Sequence, residues 1–404
     1  MTTHRITGFR EVEEAYRRPE LKQALYNEGG ILFDKVLVDL HGDEHRTRRS
    51  IESRLFRRNF FRQYEAEVFP RLMHGAIERY LLKEKMDFRD LGYRIMLNVA
   101  LAFAGIDRQD NSDEEADTLH QLLSQLGLAA TLGQYQGDKE PVKEEIRAAL
   151  SKFQNDFFIP AKSRREALIE QFKAGAIEES DLPRDILTVL MTNDEKLKMP
   201  DELMMREVAF FYLASAHTSV HTMTHAIHEV FTWFERNDGE ATSLSDDPLT
   251  LQKFVLESMR LHPASPEGWR ETDQEVTLTE GKELRVGDDI VLDLQAANRD
   301  KDVFGVDAAE YNPFRDRVAR TSPAGLSFGG GIHVCLGMNL VAGTLLKTDA
   351  EYDPENHQYG TITLILREML RRGASPDPDQ PPRKQANTLR DVWEIYPLQF
   401  TDIG

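Results

Sequence analysis

Apolar residues recur every three to four positions over most of this chain, the period of an amphipathic helix. From Phe9 to about Tyr26 the spacing is helical, and Gly29-Gly30 break it. A short apolar segment, Ile31 to Leu40, follows, and Asp43 stands where it would cap a helix through His45 and Arg49, four apart and on one face. The spacing predicts further helices over 65–82, 90–105, 113–132, 140–174 and 184–193, with polar or Gly/Pro punctuation between them. The stretch 127–137 is rich in small residues and reads as a lid between two of these helices. A long helix is expected from Pro200 to about Phe234 and another over 251–261. Strand signals gather at 275–294, with turns at Glu280-Gly281 and Gly287-Asp288-Asp289. The pattern is that of a mainly helical chain with little sheet.

Composition alters this picture only at its edges. The 40% hydrophobic content is ordinary for a soluble globular enzyme. Residues 1–8 do not read as a basic region followed by an apolar signal segment, and no window reaches about 18 uninterrupted apolar residues, so a cytoplasmic protein with no membrane span is expected. The net charge of −19 argues against a nucleic-acid partner, which would need clustered Lys and Arg. One basic island stands out. Arg46, Arg48, Arg49, Arg54, Arg57, Arg58 and Arg62 are opposed only by Glu52, which makes a docking patch for an acidic partner or a solvated helix face.

The single cysteine, Cys335, lies in Phe328-Gly-Gly-Gly-Ile-His-Val-Cys-Leu-Gly337 and is followed by an apolar, helix-like run, 338–346. A thiolate is a strong, soft ligand for iron, and Gly329, Gly330, Gly331 and Gly337 offer backbone that turns tightly around it. Entry to a helix would add a field favouring the anion. The other reading is a buried structural thiol. On the long helix His217, His221 and His225 follow at steps of four, with His228 three further on. Imidazoles in such a ladder suggest a metal, yet one helix presents at most two of them to one ion, and packing or surface histidines are the alternative.

Phe328, Gly331, His333, Cys335 and Gly337 resemble the heme-binding signature of the cytochrome P450 family, whose proximal iron ligand is a cysteine thiolate. Glu257-x-x-Arg260, 75 residues before the cysteine (335 − 260 = 75), resembles the family's second signature, a structural pair supporting that loop. The resemblance runs from about residue 9 to the end. It implies the cytochrome P450 fold, mainly α with small β-sheets (α+β), in one heme domain over 1–404 with a short N-terminal strand region. It implies heme b on Cys335, packed by Phe328 and Gly337, with propionates held by His45, Arg49, Arg270 and His333. On the distal side it places Ala214 to Thr218, with Thr218, His217 and Ser219 handling oxygen and protons; Ser215 stands in place of a glycine and His217 in place of an acid.

Two more departures concern the proximal side. Glu310 stands before Tyr311 where many relatives carry an arginine, and an acidic insertion at 347–357, with Pro354 in it, interrupts a helix that is usually continuous. The activity implied is a heme-thiolate monooxygenase that inserts one oxygen atom from O2 into a small to medium apolar substrate. Leu128, Phe211, Ala214, Trp269 and Trp393 are the pocket candidates. Thiolate donation favours O–O cleavage, and NAD(P)H-derived electrons would arrive through a ferredoxin-type partner docking near Arg46 to Arg62. The alternatives are a heme-thiolate peroxygenase or rearrangement enzyme, because the acid beside Thr218 is missing, and a non-catalytic heme- or metal-binding helical sensor built on the histidine ladder.

Overall fold

Several helices begin where a side-chain oxygen accepts one of the backbone N–H groups that have no partner in the first turn. Ser112 accepts from Glu115 at 3.0 Å, Asp138 from Glu140 at 3.1 Å, Asp185 from Thr188 at 2.7 Å and Asp247 from Thr250 at 3.0 Å. The computed structural model of the protein describes residues 2–316, 318–346 and 351–403, without the side chains of Arg58 and Asn59. Those caps open helices Asp113–Thr131, Lys139–Phe153, Ile186–Thr192 and Pro248–Leu261. The second continues through a π-turn into Ile159–Lys173, and Phe88–Ala104 and Asp201–Phe234 also form close to expectation.

Four local expectations are corrected. The first helix is only Phe9–Arg17, because Pro19 cannot extend it, and Leu21–Gln23 is a strand instead. Asp43 lies inside the first turn of Gly42–Glu52, whose N-cap is His41, and pairs with Arg46 rather than capping. The small-residue stretch starts as the last turn of Asp113–Thr131 rather than as an interruption, and the backbone of Gly29 packs so closely there that a Cβ would lie 2.2 Å from the Ala129 carbonyl oxygen. The helix after Cys335 covers only Met338–Ala342 and ends at Gly343, φ +73°.

The chain divides into two compact units. One comprises Met1–Ala24, Phe61–Gly92 and Thr218–Gly404; the other comprises Leu25–Phe60 and Tyr93–His217. In the first, a four-stranded sheet runs in the order Thr3–Ile6, Asp289–Asp293, Glu267–Thr272, Leu21–Gln23, with only the first pair parallel. Strands thus begin at Glu267, earlier than the sequence suggested, and carry Arg270. Ile290 and Leu292 alternate onto the buried face, where they join the core formed with Phe9, Val12 and Ala15 of Phe9–Arg17. Each large apolar side chain so buried contributes about 1.5–3 kcal/mol before entropy is counted. A second sheet places Pro397–Gln399 between Lys85–Asp87 and Ser375–Pro376.

The interrupted helix is rejoined through a tight neck in the same unit. A Cβ on Gly343 would lie 2.3 Å from the Gln358 carbonyl oxygen, and one on Gly360 would lie 2.5 Å from that of Val341, so the two strands of chain pass in backbone contact before Thr361–Arg371 begins. Glu65 accepts from the N–H groups of Tyr359 and Gly360, and Gln252 Nε2 donates to the Ala342 carbonyl at 2.7 Å. Residues 347–350 of the expected insertion lie outside the described residues.

In the second unit, the Tyr212 hydroxyl donates to the Leu119 carbonyl at 2.7 Å and its ring stacks on Phe153. Arg48, counted from sequence as part of a surface island, is 3% exposed. It bonds Glu52, Glu207 and the Lys35 carbonyl, while Glu207 also accepts from the Leu37 N–H. Arg48 and Glu52 therefore add nothing to the surface charge of that segment.

Candidate active site

In the first unit, the Cys335 loop is shaped by backbone that only glycine adopts readily. Gly329 and Gly331 have φ of +67° and +62°, and a Cβ on Gly331 would fall 1.9 Å from the Tyr16 carbonyl oxygen. Gly330 packs on the Tyr16 side chain. Gly337 has an ordinary φ of −82°, and neither it nor the extended Gly330 needs left-handed backbone, contrary to the expectation for all four glycines. The Cys335 N–H donates to the Phe328 carbonyl at 3.0 Å, closing the loop. The Cys335 side chain is exposed, where a structural thiol would be buried. The short helix begins three residues later, at Met338, so the expected helix field at the sulfur is weak.

The same tyrosine ties Arg270 to this loop. The Arg270 guanidinium sits 5.0 Å from the Tyr16 ring centroid and donates to Gln23 Oε1 and the Trp269 carbonyl, both at 2.7 Å. His333 is half-buried on the loop. Behind it, Arg260 is 1% exposed and makes a two-pronged bond to Glu257, at 2.8 and 2.7 Å. Arg260 also donates to the carbonyls of Asn298 and Ala308. Asn298 then accepts from the Leu326 N–H at 2.8 Å and donates to the Arg260 carbonyl, and Ser327 donates to the Met259 carbonyl. The pair is thus wired to the two residues that precede Phe328. Arg315 Nε reaches Glu257 at 3.2 Å, filling from five residues downstream the role expected of an arginine at position 310.

The long helix contributes Thr218 and Ser219 to this unit, the first exposed and the second buried. Through Ala214–Thr218 the helix is unbroken, with the Ser215 hydroxyl returned to the Phe211 carbonyl at 2.7 Å. Trp269 bonds Glu267, and Trp393 packs on His228 and Tyr396 with Lys384 Nζ 3.6 Å from its ring centroid.

In the second unit, the His217 Nδ1 lies 3.0 Å from the Tyr93 hydroxyl, and Gly127 leaves room for the ring, since a Cβ there would meet His217 Nδ1 at 2.8 Å. His45 is buried, and burial followed by the charges of Arg49, His41 and Arg48 pushes its pKa down to about 4. Leu128 and Ala214 are half-buried; Phe211 is buried in an aromatic cluster with Phe56 and Phe210, which accounts for it as core.

A family profile described as Cytochrome P450 matches residues 243–342, the stretch that holds the Glu257–Arg260 pair and the Cys335 loop. Over that stretch the chain matches the cytochrome P450 family. Among curated P450 relatives, Cytochrome P450-terp of Pseudomonas sp is 26% identical over 232 residues, covering 57% of this chain and 48% of the relative. The Steroid C26-monooxygenase of Mycolicibacterium smegmatis is 23% identical over 342 residues, 83% of this chain and 75% of the relative. The chain spans about half the length of the first curated relatives, 48% of P450-terp and 51% of the monooxygenase paxP of Penicillium paxilli. Solved P450 structures share the fold over nearly the whole chain: P450BioI in complex with an acyl carrier protein ligated to hexadec-9Z-enoic acid has a TM-score of 0.72 at 17% identity, covering 98% of this chain and 92% of that one. CalO2 has a TM-score of 0.72 at 18% identity, covering 99% and 91%.

Sequence reasoning missed Tyr16 and Tyr93 and gave Asn298 and Arg315 no role. Each acts across a long sequence separation, so only a conserved pattern in an alignment, not spacing within one chain, would have marked it. The histidine ladder divides among separate partners: Tyr93 for His217, the Asp391 carbonyl for His225 at 2.7 Å and the Tyr396 hydroxyl for His228 at 3.1 Å.

Proposed function

We propose that the protein is a heme-thiolate monooxygenase, a single heme domain made of the two units, that inserts one oxygen atom from O2 into a small to medium apolar organic molecule. The observation that carries this is an exposed, lone cysteine on a glycine-shaped loop wired to a buried Glu257–Arg260 pair. The donor set fits the group: a soft thiolate suits iron, and Arg270, beside the Tyr16 cradle, and the loop's His333 suit carboxylates. Heme b, bound through Cys335, would supply the binding and reductive activation of dioxygen.

Arg270 and His333, with His45 and Arg49, hold the propionates in this reading. His45, neutral at pH 7 in its present surroundings, would donate as a neutral imidazole unless a carboxylate raised its pKa. Ala214 and Leu128 remain the pocket candidates best supported by their half-buried positions. Tyr93 and His217 form a pair able to hold a proton and pass it between phenol and Nδ1, and Thr218 and Ser219 stay the other candidates for handling oxygen and protons.

Turnover with NAD(P)H, a reductase and O2, compared with turnover driven by peroxide, tests the reading. O2-driven oxidation by wild type is expected, and Tyr93→Phe should lower its coupling by about a hundredfold while leaving peroxide-driven turnover unchanged. Turnover with peroxide alone would replace the monooxygenase by a peroxygenase; equal coupling in Tyr93→Phe would remove the relay.

Electrons would come from an acidic ferredoxin docking on the second unit at Arg46, Arg54 and Arg57, which are exposed. The Arg58 side chain lies outside the described residues, and Arg62 belongs to the other unit. Arg57→Glu together with Arg54→Glu should slow reduction severalfold at low salt, with the difference fading at 1 M, where screening shortens to about 3 Å. Identical reduction kinetics at low salt would exclude this face. Among the described residues no helix is long and apolar enough to cross a membrane, which supports a cytoplasmic setting.

A further inference from the structure

Three side chains that the proposed oxidation does not use meet in the first unit: His225 on the long helix, His262 just after Pro248–Leu261, and Asp391 near the C-terminus. One ligand atom from each lies within 4.8 Å of the others. His225 is 3% exposed and His262 half-buried, while the Asp391 side chain is exposed, so the cluster lies at the edge of the interior.

Both imidazoles are anchored through Nε2. His225 Nε2 lies 2.7 Å from the Asp391 carbonyl oxygen, and His262 Nε2 lies 2.6 Å from Glu229 Oε1. Those oxygens only accept, so each ring carries a proton on Nε2. Among the described residues the two Nδ1 atoms, both buried, have no hydrogen-bond partner. His262 Nδ1 stands 3.7 Å from Asp391 Oδ2, beyond hydrogen-bond reach, while Lys384 holds Asp391 Oδ1 at 2.6 Å. Imidazoles that give one nitrogen to a carbonyl or carboxylate and leave the other unbonded are arranged as metal ligands are, supporting groups included.

We propose that His225 Nδ1, His262 Nδ1 and the Asp391 carboxylate bind a divalent transition ion, zinc matching this donor set best. Two imidazoles and a carboxylate are borderline and hard donors, which suit zinc and exclude a thiolate-seeking ion. The fourth position faces the cavity also lined by His221, Gln295 and Arg390, where a water completes the tetrahedron. The rings now stack, 4.4 Å between centroids and 10° between planes, so one ring must turn out of the stack. Zinc–nitrogen bonds of about 2.1 Å put tetrahedral ligands about 3.4 Å apart, a closure that rotation of His262 and Asp391 supplies. Lys384 and Arg390 oppose the ion's charge, and Glu229 and Asp391 offset them. Bound there, the ion staples the C-terminal loop to the long helix.

The test uses the heme-loaded protein, equilibrated with zinc chloride and then gel-filtered into metal-free buffer. One zinc per chain is expected by elemental analysis, and the zinc-edge X-ray absorption spectrum, which heme iron does not obscure, should show imidazole nitrogen and carboxylate oxygen without sulfur. Asp391→Asn and His262→Gln should lose the zinc while their reduced carbon monoxide spectra match wild type. Substoichiometric zinc in wild type, sulfur in its spectrum, or full zinc retention in either folded variant overturns the site. The wild-type measurements decide the matter even if a variant fails to fold, and none of them depends on monooxygenase activity.

Discussion

Replacing Cys335 by alanine is expected to abolish both turnover and the red-shifted band of the reduced carbon monoxide complex that thiolate ligation produces. No second cysteine exists in the 404 residues to substitute for it. The side chain is exposed, and the bond that closes the loop is made by the backbone N–H of position 335, which alanine keeps. The folding stability of the heme-free protein should therefore shift by no more than about 0.5 kcal/mol, as for an ordinary surface substitution. The loss would be chemical, not structural. A thermal melt and a carbon monoxide difference spectrum on the same sample separate the two, and a wild-type spectrum from Cys335→Ala would refute thiolate ligation by this residue.

Arg260→Ala should instead remove the fold around the site. It leaves the buried Glu257 carboxylate to Arg315 and the Asn312 N–H alone and leaves the Ala308 and Asn298 carbonyls short of a donor, while the Asn298 side chain keeps its bond to the backbone carbonyl of residue 260. Removing one partner of a buried ion pair costs about 3–5 kcal/mol, a large part of the roughly 5–15 kcal/mol by which domains are stable. Little heme-loaded protein is expected, measured as the heme-to-protein ratio and the denaturation midpoint. Arg260→Lys should not rescue it, since an ammonium cannot make the two-pronged bond. Arg315→Ala, which spares that bond, should cost less, about 1.5–3 kcal/mol for lost charged hydrogen bonds. Equal losses for the two alanine variants would mean that Glu257 depends on both arginines alike.

Legibility followed the range of the interaction. Helices with caps and unbroken periodicity, such as Asp113–Thr131 and Asp201–Phe234, were readable because their determinants lie within a few residues. The Phe9–Arg17 boundary and the Asp43 cap were misjudged because a proline and a neighbouring backbone angle outweighed the apolar pattern. The basic island was overcounted: charge along a sequence does not say that Arg48 turns inward to Glu207, 159 residues away (207 − 48 = 159). The histidine ladder suggested one shared task, whereas the fold gave its members different partners.

The sequence by itself determined the thiol, the glycines that shape its loop and the Glu257–Arg260 pair, because these act over a turn or two of chain. Only the tertiary structure decided that Arg315 completes that pair, that Tyr16 braces both the loop and Arg270, that Tyr93 stands beside His217, and that His225 meets His262 and Asp391. Periodicity states which face of an element is buried; it carries no record of which distant side chain that face will meet.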